Sequence, residues 1–169
     1  MRKLTLCIAF MLMPIRGYGQ LDLPRFKKEI SSFEKALNGI ASAILPNYGL
    51  TQSARSTYLE GYGPVFVMEV ALERAANPFS TPFSPAEVKQ NVERRHKEII
   101  QKVSDLLKQK FSELKAAADS GTLTVVIYLW NTNPEYVPDL PSQIVFTAKK
   151  LGTTVEVAHH EFDFDVSRR

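Results

Sequence analysis

The chain has 169 residues, with 21 Lys plus Arg against 18 Asp plus Glu. That is the size of one ordinary domain, long enough to bury more than half of its unfolded surface without covalent staples. Its single cysteine, Cys7, excludes an intrachain disulfide and a multi-thiolate metal site.

The positive excess is local to the first residues. Met1, Arg2 and Lys3 precede the apolar run Leu4 to Met13, which Pro14 and Ile15 close. This pattern predicts a cleavable secretory signal over residues 1–19, with Gly17 and Gly19 as the small residues before a cut at Gln20. Cleavage would remove Arg2, Lys3 and Arg16 but no acid, leaving residues 20–169 near neutral. A global attraction to nucleic acid or anionic lipid is therefore not expected. The signal also takes Cys7 with it, so no cysteine nucleophile is expected. At roughly ten to twelve residues, the apolar run is short of the ~20 that span a bilayer, and no later run is longer. The mature chain is thus expected to have no transmembrane segment and to be periplasmic or secreted.

After the signal, Asp22 is the expected N-cap of a helix with Pro24 in its opening turn. Phe26, Ile30, Phe33, Leu37, Ile40 and Ile44 follow at steps of three and four, one apolar stripe that ends before Pro46, Asn47 and Gly49. From Ser53 to Leu72 the period changes to two. Phe66, Met68, Val70 and Leu72 oppose Val65, Val67 and Glu69, and a hairpin is expected around Glu60 to Gly63. A loop with Pro78 and Pro82 leads to Ser84, Pro85 and Glu87, the pattern of a capping box. The stripe Val88, Val92, Ile99, Val103, Leu106, Leu107, Phe111, Leu114 and Ala118 then predicts one helix running to Asp119, Ser120 and Gly121, about 50 Å long, which must overhang, bend or pack against another chain because a domain of this size is not that wide. The stripe thins around Arg95 and His96, so an overhang is expected there. Strands follow at Leu123 to Trp130, Gln143 to Lys149 and Thr153 to Phe162. The first is apolar on both faces and is expected in the middle of the sheet.

These elements predict a single α+β domain over 20–169 in the order α-β-β-α-β-β-β. Its mainly antiparallel sheet of about five strands carries two helices, one of them long, on one face.

Candidate sites are few. His159, His160 and Glu161 are metal-ligand types on a strand, where His159 and Glu161 share a side and His160 faces the other. An ordinary solvated strand end gives the same pattern. Arg55, Tyr58, Glu60 and Tyr62 cluster with two glycines at the hairpin, and they would suit a polar pocket or a structural turn. Phe79, Phe83 and Tyr136 lie on Pro-stiffened loops that would suit a docking surface or a cap on the core. Ser56, Ser84 and Ser142 stand in no nucleophile motif, and no cofactor-binding spacing occurs. The sequence therefore points to a non-enzymatic protein-interaction or assembly module of the cell envelope, binding another protein or itself. The alternatives are a small-molecule or lipid binder and, behind it, a metal-dependent hydrolase.

Overall fold

The computed structural model describes residues 23–45, 50–60, 62–73, 84–130 and 135–163. The expected signal, the loop with Phe79 and Phe83, and the stop at Pro46 to Gly49 lie outside the described residues.

The expected α+β architecture is present. Helix α1 (Leu23–Ile44) is followed by β1 (Leu50–Leu59), β2 (Gly63–Ala71), α2 (Pro85–Lys110), a short α3 (Lys115–Ser120), β3 (Thr122–Trp130), β4 (Gln143–Leu151) and β5 (Thr154–Phe162). The five strands lie side by side in chain order. Three of the four pairings are antiparallel, and β2 with β3 is parallel.

Alternation along each strand sends one set of side chains under the helices. Phe66, Met68 and Val70 from β2, Leu123, Val125 and Ile127 from β3, and Ile144 and Phe146 from β4 are fully or almost fully buried there. The α1 stripe supplies Ile30, Phe33 and Leu37, and Phe33 stacks on Phe66 with ring centroids 4.5 Å apart. Helix α2 supplies Val92, Ile99, Val103 and Leu107. Its start is the expected capping box. Ser84 Oγ accepts from Glu87 N–H, and the Glu87 carboxylate accepts from Ser84 N–H, which holds that carboxyl below its ordinary range.

Two expectations about the long helix are corrected. It does not run unbroken to Ser120: α2 ends at Lys110, a single 3₁₀ turn spans Phe111–Glu113, and Leu114 is extended at φ −84°, ψ 97°. The Glu29 carboxylate of α1 then accepts the Lys115 N–H, satisfying one free donor at the start of α3. Phe111, Leu114 and Ala117 are all buried around the bend. The stripe is continuous through this point, so the bend comes from contact with α1 and the sheet and has no local sequence signal. Nor is there an overhang at Arg95 and His96. Arg95 Nη1 donates to the Leu72 carbonyl at 2.7 Å, and His96 faces β5, so polar side chains continue the packed stripe where the apolar one thins.

The hairpin joining β1 and β2 requires glycine at Gly63. Its φ is +110°, and a Cβ there would lie 2.5 Å from both Ser120 Oγ and the Thr122 carbonyl oxygen. Gly152, in the β4–β5 turn, also has positive φ at +63° but has no atom within 4 Å of such a Cβ. Gly63→Ala should therefore cost about 3 kcal/mol from strain and clash together, and Gly152→Ala about 1 kcal/mol from backbone strain alone. Urea midpoints of the two variants check this ranking.

Candidate functional site

With α1 and α2 on one side, no helix among the described residues covers the opposite face of the sheet, and its side chains can be followed row by row through the strand register. One row runs Thr57, Val65, Thr124, Thr147, Ala158, and the next runs Arg55, Val67, Val126, Val145, His160. The third runs Gln52, Glu69, Tyr128, Gln143, Phe162, and Trp130 stands beyond it opposite Ala71. The centre of this face is a flat field of valine and threonine. Its rim carries large apolar side chains: Trp130 is 58% exposed, and Leu59, Tyr62, Tyr128 and Phe162 are each 44–49% exposed. Tyr62 is anchored there by its hydroxyl, which accepts from Thr124 Oγ1 at 3.2 Å.

β3 is central, as its pattern predicts, being third of five strands. Only one of its two apolar faces is buried. A strand apolar on both faces fits a sheet covered on both sides, and here the second cover is not among the described residues.

On the helix side, α2 and β5 meet at a polar contact. His96 Nε2 lies 3.4 Å from Glu161 Oε1, is inaccessible to solvent, and completes no hydrogen bond among the described residues. Burial lowers the His96 pKa from the ordinary 6.5; Glu161 opposes that shift, while His159 and Lys97 add to it. The two side chains line a cleft of about 180 Å³ with Lys89, Val137 and Leu140. A larger cleft of about 380 Å³ opens between α1 and the α2–α3 bend, with Phe33, Ala36 and Leu114 as its floor and Lys28 and Lys110 at its rim.

The predicted site residues do not converge. Arg55 and Tyr58 are on opposite faces of β1. Arg55 is exposed on the open face, whereas Tyr58 packs edge-on against Phe26 at 5.7 Å under the helix layer. Glu60 is exposed in the turn, so the hairpin residues are spread over the turn and both faces of the sheet. Tyr136 is exposed, but Val137 and Leu140 of the same loop are buried in the core, so this loop closes the end of the sheet. Phe79 and Phe83 are outside the described residues. His159 and Glu161 share the helix side, with the His159 ring tilted over Phe146 at 6.0 Å. His160 faces away from them, so the three do not converge on one ion. Among the described residues, no group of three or more His, Cys, Asp or Glu is placed to hold a metal ion.

Comparisons with family models, curated proteins and solved structures found no match to this chain. The residues that stand out are thus chosen by geometry alone. The sequence reading missed Trp130, Tyr128 and Phe162 as a surface, although the two-sided apolar pattern of β3 was their signal. It missed the His96 contact because Glu161 is far away along the chain.

The His96 contact has a pH signature. A pKa lowered by folding means that the native state binds less proton than the unfolded chain, so stability is fully present above 6.5 and is lost as the pH falls below it through the lowered value. His96→Gln should remove this component. Urea unfolding of both proteins across that window should show the wild type losing stability faster as the pH falls.

Proposed function

We infer that this chain is an exported protein-interaction module and that the open sheet face is its contact surface. The observation that carries this reading is the exposure of Trp130, Tyr128, Phe162, Leu59 and Tyr62 around a flat Val and Thr field. Exposed aromatic side chains on a rigid sheet suit binding, because they offer large contact area at low conformational cost. A protein partner fits better than a small ligand, since the face is flat and a small molecule needs a concave site to lose most of its water. The charges on the face, Arg55, Glu69, Lys149 and Glu156, are of mixed sign, and Glu69 stands directly opposite Tyr128. This favours a protein partner whose contact surface combines apolar area with polar groups. The secretory pattern of residues 1–19 supports a setting in the envelope or outside the cell.

A second reading, a binder of small amphipathic molecules, is favoured by the cleft between α1 and the bend. Its volume of about 380 Å³ falls in the range of small-ligand pockets, and its apolar floor lies below a polar rim of Lys28, Glu29, Lys110 and Glu113, with Lys110 ion-paired to Glu113. A native mass spectrum showing a stoichiometric small adduct would favour this reading over the first.

The interaction reading is tested by placing a photo-crosslinking residue at Trp130 and, as a control, at Lys108 on the exposed side of α2, in the cell that makes the protein. A discrete heavier product from position 130 and none from 108 is expected; equal products or none overturn the reading. Trp130→Ser combined with Tyr128→Ser should leave stability within about 1 kcal/mol of wild type, because exposed positions contribute little to folding. The same pair should abolish a crosslink directed from the neighbouring Val126.

A further inference from the structure

Two polar side chains on the open face are left without bonds by the fold. Glu69 is half-buried and Gln143 is 8% exposed, yet among the described residues neither side chain makes a hydrogen bond or an ion pair. Both stand beside Tyr128. Glu69 is opposite it on β2 and Gln143 opposite it on β4, so the three form one row with about 5 Å between neighbouring backbones. Trp130 points to the same side two residues further along β3, about 7 Å from Tyr128. Arg55, a cation on this face, stands opposite Val67, and among the described residues it forms no ion pair with Glu69. A sheltered polar group without a partner costs free energy, and a carboxylate costs more than an amide. The row thus combines two unbonded acceptors with two exposed aromatic rings.

We propose that this row anchors the protein partner by one arginine side chain. Charge complementarity names the occupant. A guanidinium lies flat on an aromatic ring and is attracted by its electron-rich face, which suits Tyr128 and Trp130. Its edge carries several N–H donors in one plane, enough for the Glu69 carboxylate and the Gln143 carbonyl oxygen together. A lysine ammonium would meet Glu69 as a point charge but would not stack. An apolar side chain would cover the rings and leave both acceptors dry and unbonded. An acidic one would face Glu69 as a like charge. The inference rests on the protein-interaction reading and deepens it by naming the side chain that the face receives.

The chain has one tryptophan, Trp130, so its fluorescence reports on this place alone. The probe is N-acetyl-arginine amide, compared with its lysine and citrulline analogues and with tetramethylammonium chloride, all at matched ionic strength. The arginine probe should give a saturable change with a Kd on the order of 1 mM, as expected of a ligand of its size. Neutral citrulline should bind at least about tenfold more weakly, and lysine about threefold more weakly. Glu69→Gln should weaken the arginine probe about tenfold. Gln143→Leu should weaken it about threefold without lowering the urea midpoint, because the amide has no bond in the fold to lose. Asp105→Asn, the same charge change at an exposed position on α2, should leave binding unaltered.

No saturation by about 20 mM probe overturns the proposal. So does citrulline binding as tightly as arginine, or Glu69→Gln binding the probe like wild type. Tetramethylammonium matching the arginine probe also overturns it, since that cation donates no hydrogen bond. Should Glu69→Gln fold poorly, the Gln143→Leu protein and the citrulline comparison decide. In the cell, Glu69→Gln should cut the crosslink directed from Val126 at least about threefold. An undiminished crosslink keeps a partner on the face and overturns its arginine anchor. No crosslink from position 130 in the otherwise wild-type chain overturns the interaction reading itself, so the two failures are separate results.

Discussion

Strands β2 and β3 are parallel neighbours, and no tight turn can join a parallel pair, because the chain must return to the end where the first strand began. Here α2 makes most of that return, its 26 residues covering about 39 Å. The crossing decides which side of the sheet is dry. Once α2 lies over the central strands, α1 can reach the core only beside it. Two helices packed at about 10 Å each span roughly the width of five strands. One face is then complete, and no helix among the described residues remains for the other. The exposed aromatic rim around Trp130 and the polar seam where α2 passes β5 both follow from this arrangement.

The seam shows how the crossing couples distant parts of the chain. Arg95 and His96 occupy the turn of α2 where the apolar stripe has no large residue, and each reaches a different element. Arg95 donates to the carbonyl at the end of β2, and His96 meets Glu161 on the last strand. A half-buried imidazole beside a carboxylate can either stay neutral or form an ion pair. Desolvation outweighs the carboxylate here and favours the neutral form. Burial of the imidazole therefore costs least when the histidine is uncharged, although its attraction to Glu161 is strongest when it is charged. This matters for β5, an edge strand held by β4 on one side and by this contact across the helix layer.

Much of the fold was legible in the sequence, because each element carries its own period and punctuation. The stripe from Phe26 to Ile44, the box at Ser84 and Glu87, and the alternation in Leu123 to Trp130 place helix, cap and strand correctly. What was not legible is tertiary. The break at Leu114 follows from Glu29 capping Lys115 and from burial of Ala117, and neither residue type signals a bend in its own neighbourhood. The hairpin residues Arg55, Tyr58, Glu60 and Tyr62 are close in sequence, yet strand alternation sends Arg55 and Tyr58 to opposite faces. Alternation separates His160 from His159 and Glu161 in the same way. For Trp130 the pattern was present but pointed to burial. A period-two pattern reports that a face is apolar and cannot report whether this chain or another one covers it.

Among the described residues, the face of a sheet and its edge strands are physically different surfaces and need not serve the same partner. Face-to-face contact rests on apolar area and shape, which Tyr128, Trp130 and Phe162 supply over a flat field. Edge contact rests on backbone hydrogen bonds whose geometry is fixed by the strand, with side chains setting only the register. The two outer strands differ in this respect: β1 breaks register twice and is bonded to Asn38 and Glu34, whereas β5 pairs with β4 without a register shift. Register breaks and side-chain bonds of the kind found on β1 make an edge a poor template for a further strand.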